Sequence, residues 1–199
     1  MRLGIFASHE GTTLQAVLDA VAAGKLTATV ALVISNNRDS GALKRAHAAG
    51  VSTAHLSSVT HPDSGALDRA ICERLVNARV DLVLLAGYLK KLGPRVLERF
   101  GGRILNTHPA LLPKYGGPGM YGARVHEAVL AAGDTETGIS IHLVDAEYDT
   151  GPVIAECRVP VLPDDTPATL AARVQARERD FVVETLALFG GAPKTANDA

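Results

Sequence analysis

A chain of 199 residues, 47% hydrophobic and 21% charged, can close one α/β domain around a sizeable core without disulfide or metal staples. Its net charge of -1 argues against a dominant nucleic-acid role, which needs a basic face to neutralise phosphates. No apolar run approaches the ~18 residues of a membrane span, and Cys72 and Cys157, with no CxxC spacing, read as reduced thiols of a cytoplasmic protein.

The opening MRLGIFASHEG carries an apolar run that His9 and Glu10 interrupt too soon for a signal peptide. Leu3 to Ser8 reads instead as a first strand. Leu14, Val17, Leu18 and Val21 then recur at helical spacing, with Thr12 or Thr13 as the expected N-cap and Gly24 as the stop. Thr27 to Asn36 is a second strand, residues 40–49 a short helix closed by Gly50, and VSTAHL a third strand. Residues 64–79 form a helix with Leu67, Ile71 and Leu75 on one face. Asp81 to Tyr88 is a continuous apolar run, as in a strand covered on both sides. A short helix leads to a fifth strand, GRILNTH. This alternation is that of βαβ units: a Rossmann-like, mostly parallel twisted sheet with helices on both faces.

After Gly119 the pattern changes. Val125, Val129 and Ala132 mark a helix ended by Gly133. Two strands then follow with no helix between them, which predicts an antiparallel addition in the C-terminal half. A helix over residues 166–190 and a polar, frayed tail at 191–199 complete a single domain, with no internal repeat or linker.

Ligands of open α/β sheets collect at the carboxyl ends of the strands, and three candidate clusters fall there. In SHEGTT, a glycine and two hydroxyl residues open a helix, which suits either an anion or plain capping. Asn106 and His108 lie one pleat apart on the same side of their strand, followed by a loop rich in proline and glycine. They are an amide donor and a proton carrier, or satisfied loop residues. Asp145, Glu147 and Asp149 cluster before Gly151–Pro152, as an acidic turn or a site, with His142 upstream on a strand whose other face is Ile139, Ile141 and Leu143. In the last helix, Glu178 falls on the apolar stripe of Leu170, Val174 and Phe181. A carboxylate aimed inward needs a partner, either Arg173 or a substrate ammonium. A metal on His108, His142 and Asp149 lacks any HxH or HExxH spacing to support it, so no metal is expected.

Together these residues resemble the phosphoribosylglycinamide formyltransferase family, folate-dependent enzymes of purine biosynthesis, from Met1 to about Gly190. The resemblance is most specific in LNTHPALLPKYGG and in TGISIHLVDAEYDTGPVIAE. It implies a catalytic set of Asn106, His108 and Asp149, a phosphate loop at Gly11, Thr12 and Thr13, and Glu178 as the ligand of the substrate amine. It further implies that Leu89, Lys90, Leu92, Val144, Asp145 and Glu147 hold the folate. Residues 1–100 become a phosphate-binding half, and 101–190 a catalytic and folate-binding half.

Several positions depart from the family pattern. HEGTT replaces Gly-x-Gly-Ser-Asn, Ser64 or Gly65 stands where an arginine is often found, Lys90 replaces an arginine, Val182–Val183 replaces Tyr-Pro, and His126 stands in place of a family histidine. The implied reaction is formyl transfer from 10-formyltetrahydrofolate, as co-substrate, to the amine of glycinamide ribonucleotide. Asn106 and a cationic His108 would stabilise the oxyanion, and Asp149 would orient His108 or relay a proton. The implied partners are these two small molecules, with neither nucleic acid nor membrane, in a cytoplasmic monomer or homodimer. The rivals are a formyltetrahydrofolate hydrolase, against which a chain beginning directly at its first strand counts, and a formyltransferase acting on another phosphorylated amine. Methionyl-tRNA formyltransferases carry a further C-terminal domain and more basic character. A noncatalytic nucleotide- or flavin-binding module would give Asn106, His108 and Asp149 no reason to converge.

Overall fold

The computed structural model describes residues 1–190, and the tail expected at 191–199 lies outside them. In chain order the elements are β1 (Arg2–Phe6), α1 (Thr12–Ala22), β2 (Thr29–Ser35), α2 (Gly41–Ala48), β3 (Thr53–His55), α3 (Ser64–Asn77) and β4 (Leu82–Leu85). They continue with α4 (Pro94–Arg99), β5 (Ile104–His108), α5 (Ala123–Ala131), β6 (Glu136–Leu143), β7 (Val153–Pro160) and α6 (Pro167–Gly190). One seven-stranded sheet runs β3-β2-β1-β4-β5-β6-β7. β1 to β5 are parallel, and β6 and β7 are antiparallel additions at one edge. This is the Rossmann-like mixed sheet that the alternating periodicity predicts.

The parallel strands alternate their side chains between two cores, as a pleat with both faces covered requires. Leu3 and Ile5 of β1, Leu82 and Leu84 of β4 and Leu105 of β5 pack with Leu14 and Val17 of α1 and Val174 and Phe181 of α6. Phe6, Val83, Leu85 and Ile104 point the other way, into a core with Ile71 and Leu75 of α3 and Val96 of α4. The same parity sends Asn106 and His108 to the α3/α4 side of the sheet and Thr107 to the α1/α6 side.

One local expectation is corrected, and the loop after β5 adds a burial that strand parity does not show. The N-cap of α1 is Gly11, with φ 68°, and no side chain caps the helix; Thr12 and Thr13 fall inside it. A β-carbon at Gly11 would meet the Ala42 backbone at 2.7 Å, so only glycine lets the β1–α1 turn approach α2 this closely. The Ser140/His142 face of β6 is as buried as its apolar face: Ser140 is 0% and His142 2% exposed. The cause is the loop after β5, which folds over that face. Ser140 Oγ accepts from the Leu112 N–H at 2.9 Å and donates to the Ala110 carbonyl at 2.8 Å.

Gly151 controls the turn that carries Asp149. A β-carbon there would lie 1.9 Å from the Leu143 carbonyl oxygen, beside the Leu143 N–H to Pro152 carbonyl bond of 2.9 Å. Gly151→Ala forces β6 and β7 apart at this point and costs about 1–3 kcal/mol. A urea midpoint equal to that of the unaltered protein overturns this.

Candidate active site

β5 ends on Asn106, Thr107 and His108 because β6 pairs beside it in a fixed register, Asn106 opposite His142 and His108 opposite Ser140. That register brings the amide of Asn106 to the ring of His142, Nδ2 to Nε2, at 3.0 Å. His142 Nδ1 lies 2.8 Å from the Leu143 carbonyl, which can only accept, so in the neutral ring the proton sits on Nδ1. Nε2 is then free to accept one Asn106 N–H, and the second N–H of that amide remains open. His142 is thus the residue that aims Asn106. The sequence reading noted it without giving it a role; its signal was its place on the same pleat face as Ser140.

Asp149 completes the group from the turn between β6 and β7. It sits at φ 58°, a left-handed conformation that Asp tolerates, and its side chain is 10% exposed. Oδ2 accepts the Gly117 N–H at 3.0 Å and lies 3.5 Å from His108 Nδ1, while Oδ1 lies 3.5 Å from His142 Nε2. One carboxylate therefore spans two imidazoles. Burial by itself would raise the Asp149 pKa. The adjacent His142 ring, the proximity of His108 and the Gly117 N–H outweigh it and hold the carboxyl below its ordinary value.

His108 is 3% exposed, and its Nε2–H donates to the Tyr115 carbonyl at 2.8 Å. Burial lowers its pKa, against opposing pulls from Asp149 and from the Tyr115 carbonyl. Desolvation of the ring outweighs these partners, and so weighs against the cationic His108 that the resemblance implies. A second buried histidine, His126 of α5, also has its pKa lowered, by burial and then by His108, and its Nδ1 has no partner among the described residues.

Asn106, His142 and Asp149 line a cavity of about 60 Å³ together with Lys90, Leu92, Val144, Asp145 and Glu147. Five of the six residues expected at the folate thus gather beside the Asn106 amide. Leu89, the sixth, lines a separate cleft over β1 to β3, although Lys90 lines both. Sequence reasoning missed Lys91. Its Nζ donates to the Ala146 carbonyl at 2.9 Å and to Glu147 at 3.0 Å, and lies 5.0 Å from the centre of the Tyr148 ring. It ties the loop after β4 to the acidic turn; nothing in its local sequence distinguishes it from Lys90.

On the other side of the β5 end, Thr107 and Thr13 both donate to Glu178 Oε1, at 2.8 and 3.3 Å. These two bonds fall on one oxygen and leave Oε2 for another donor. Arg173 is not the partner of Glu178; its guanidinium forks onto Asp165 at 2.6 and 2.8 Å. Burial raises the Glu178 pKa, more than the two hydroxyls and Arg179 lower it. A raised folded-state pKa means that the ionised form is penalised by folding at every pH above its ordinary 4.5. Glu178→Gln therefore raises the thermal midpoint at pH 7, where ~1 kcal/mol is worth roughly 2–4 °C, and the gain shrinks as the pH falls from the raised folded-state value to the ordinary 4.5, below which it is gone. An unchanged or lower midpoint at pH 7 overturns this.

Gly11, Thr12 and Thr13 form the first turn of α1, whose free N–H groups face the carboxyl end of the sheet. Thr12 also lines a cleft with Arg45 and Arg179, and Arg45 Nε donates to the Glu10 carbonyl at 2.8 Å. Ser64 and Gly65 open α3 behind its Asp63 N-cap, are exposed, and supply no cation. Among the described residues no group of three or more His, Cys, Asp or Glu side chains is placed to share a metal ion, and no helix is long and apolar enough to cross a membrane.

The chain is similar to known proteins in sequence and in fold. The chain matches the formyl transferase family over residues 1–186. It is 39% identical to the phosphoribosylglycinamide formyltransferase of Escherichia coli, covering 89% of this chain and 82% of that one. The enzyme of that name from Mycobacterium tuberculosis is 42% identical, over 94% and 83%. The chain spans 64% of a chloroplastic relative from Arabidopsis thaliana, at 37% identity. The crystal structure of phosphoribosylglycinamide formyltransferase from Bacillus halodurans superposes with a TM-score of 0.90 at 32% identity, covering 100% of both chains. A family match over nearly the whole length, and relatives this similar across most of both sequences, establish that the chain belongs to the formyl transferase family.

Proposed function

We propose that this protein transfers the formyl group of 10-formyltetrahydrofolate to the amine of 5-phosphoribosylglycinamide, in purine biosynthesis. The observation that carries this reading is the meeting of Asn106, His142 and Asp149 around one small cavity at the carboxyl end of β5, with His108 behind Asp149 at 3.5 Å, in a chain so similar to enzymes named for that reaction. Residues 1–100 serve the acceptor's phosphate and 101–190 the chemistry and the folate. A cytoplasmic setting, as a monomer or homodimer, belongs to the same reading.

In this mechanism the acceptor's phosphate lies on the N–H groups at Gly11, Thr12 and Thr13, and its ammonium meets the open Oε2 of Glu178. Releasing a proton there gives the free amine, which attacks the formyl carbon. Negative charge grows on the formyl oxygen, and the second Asn106 N–H donates to it. Overall, one proton leaves the attacking nitrogen and one arrives on the departing folate nitrogen. Asp149, between two imidazoles at 3.5 Å each, is placed to carry it through water. His108 Nδ1, 3.5 Å from Asp149, takes up through that carboxylate the proton that leaves the attacking nitrogen and returns it by the same route to the departing folate nitrogen, so its positive charge is present while the oxyanion exists. Leu92 and Val144 give the pterin apolar walls, Lys90, Asp145 and Glu147 give it polar contacts, and Leu89 packs beyond it.

The test is a product assay on the purified protein with the formyl donor, supplying glycinamide ribonucleotide, other phosphorylated amines, or water alone. Formyl transfer to glycinamide ribonucleotide is the expected result. Donor loss with water alone at the same rate identifies a hydrolase. A faster reaction with a different phosphorylated amine identifies a shifted acceptor, an outcome to which Ser64 or Gly65 in place of an arginine lends weight.

A further inference from the structure

β7 closes one end of the sheet, and β6 is its only paired neighbour among the described residues. Just beyond the strand, the Val161 N–H donates to the Thr135 carbonyl at 3.0 Å, so the backbone of Val161 faces β6. Alternation then turns the backbone groups of Val159, Cys157 and Ala155 toward β6, and those of Arg158 and Glu156 outward. An edge of outward N–H and C=O groups is a template for another strand. Pro152 precedes β7 and Pro160 ends it, so pairing is confined to the stretch between them.

That stretch is complementary to itself. A second copy can add to the edge in the antiparallel sense about a two-fold axis, and the position of the axis decides which side chains face each other. An axis at Glu156 sets Glu156 against Glu156. An axis at Arg158 sets arginine against arginine, and Glu156 against Pro160, which has no N–H to give. An axis at Cys157 sets Glu156 opposite Arg158 on both sides, and each such pair exchanges both of its N–H···O bonds. Glu156 is exposed, and so is the Arg158 side chain, at 68%. Arg158 already pairs with Glu136 of its own chain, so the second carboxylate extends an ion pair that exists.

The other positions agree with the same axis. Ala155 falls opposite Val159, and Ile154, 38% exposed, opposite Pro160. Cys157 faces its own copy in a pair without hydrogen bonds, where Cα atoms approach to about 4.5 Å. Its Sγ leans toward the outer edge, 3.8 Å from the outward-facing Arg158 carbonyl.

We propose that two copies of this chain pair antiparallel along β7, with Cys157 at the two-fold axis, and join their sheets into one. This narrows the monomer or homodimer of the functional reading to a homodimer with a stated interface. It stands apart from the chemistry, since neither Glu156 nor Arg158 lines the cavity at Asn106. A single strand pair is a small interface, which predicts a dissociation constant of roughly 1–100 μM.

Sedimentation velocity over a concentration series spanning that range is expected to show a monomer–dimer equilibrium. Glu156→Arg, which sets arginine against arginine, raises the dissociation constant by ~10-fold or more, and Arg158→Glu does the same with carboxylates. Mixing the two variants in equal amounts restores the dimer, because each supplies the charge that the other lacks. Diamide, which takes up the two thiol hydrogens as the disulfide forms, cross-links the Cys72→Ser protein and leaves the Cys157→Ser protein uncrosslinked. A protein that stays monomeric throughout the series overturns the proposal. So does a dimer that Glu156→Arg leaves unchanged, or one that the mixed variants fail to restore. A cross-link that persists in Cys157→Ser runs through Cys72 of α3 and overturns it as well. Each of these results leaves formyl transfer by the unaltered protein untouched, whereas loss of formyl transfer with this dimer intact is a failure of the functional reading alone.

Discussion

Asn106→Ala lowers kcat by roughly 10²–10³, about 2.7–4 kcal/mol of transition-state stabilisation. The reason is geometric. The amide is held by His142 at 3.0 Å from a strand whose register β6 fixes, so its second N–H is in place before charge develops and no reorganisation is needed during the reaction. A donor pointed at a developing oxyanion acts on kcat more than on KM, because the ground-state carbonyl asks less of it. A loss divided evenly between KM and kcat, or a kcat near that of the unaltered protein, removes Asn106 from the chemistry. His142→Ala should follow with a smaller loss in kcat, since it leaves the amide present but free to turn.

Asp149→Asn is the second large effect, with kcat down by roughly 10²–10⁴, the range lost when a positioned proton carrier is removed. Asn keeps the shape and accepts the left-handed backbone at φ 58°, so the turn survives while the charge between His108 and His142 disappears. The variant also separates two contributions to acid stability. The depressed Asp149 pKa contributes stability that is complete above its ordinary 3.8 and is lost as the pH falls through the folded-state value. The depressed His108 pKa means that the unfolded chain gains a proton the fold does not hold, so stability also declines as the pH drops below the ordinary 6.5. Both signs make the unaltered protein acid-labile. Thermal midpoints measured from pH 8 to pH 3 should fall in both proteins below 6.5. The difference between them should narrow at the acid end, where Asp149 no longer contributes. Parallel curves throughout would falsify the assignment of that carboxylate as the ionised link.

The parts of the site that could be read from the residues were those carried by local pattern. Asn106 and His108 share a face because a strand repeats every two residues, and Glu178 is conspicuous because a carboxylate interrupts a stripe with helical spacing. Pairings between distant segments were not legible. Arg173 and Asp165 lie eight residues apart and bind each other across the start of α6, which left Glu178 to two threonines, one from α1 and one from β5. Lys91 and Lys90 are adjacent lysines, and only the direction each side chain takes from the loop after β4 decides which one meets Glu147. The N-cap of α1 was misplaced for a similar reason. Thr12 and Thr13 suit a cap by type, but the close approach of α2 at Ala42 demanded a glycine, and the helix begins after it.

By itself, the sequence determined the order and kind of the elements, the parallel sheet with its antiparallel edge and the strand end where chemistry collects, because each follows from periodicity or from glycine and proline within a few residues. Only the tertiary structure decided the burial of His108, the contact of His142 with Asn106 and the partners of Glu178. Those depend on desolvation and on contacts between side chains tens of residues apart, and both quantities exist only once the sheet has closed and the loop after β5 has covered it.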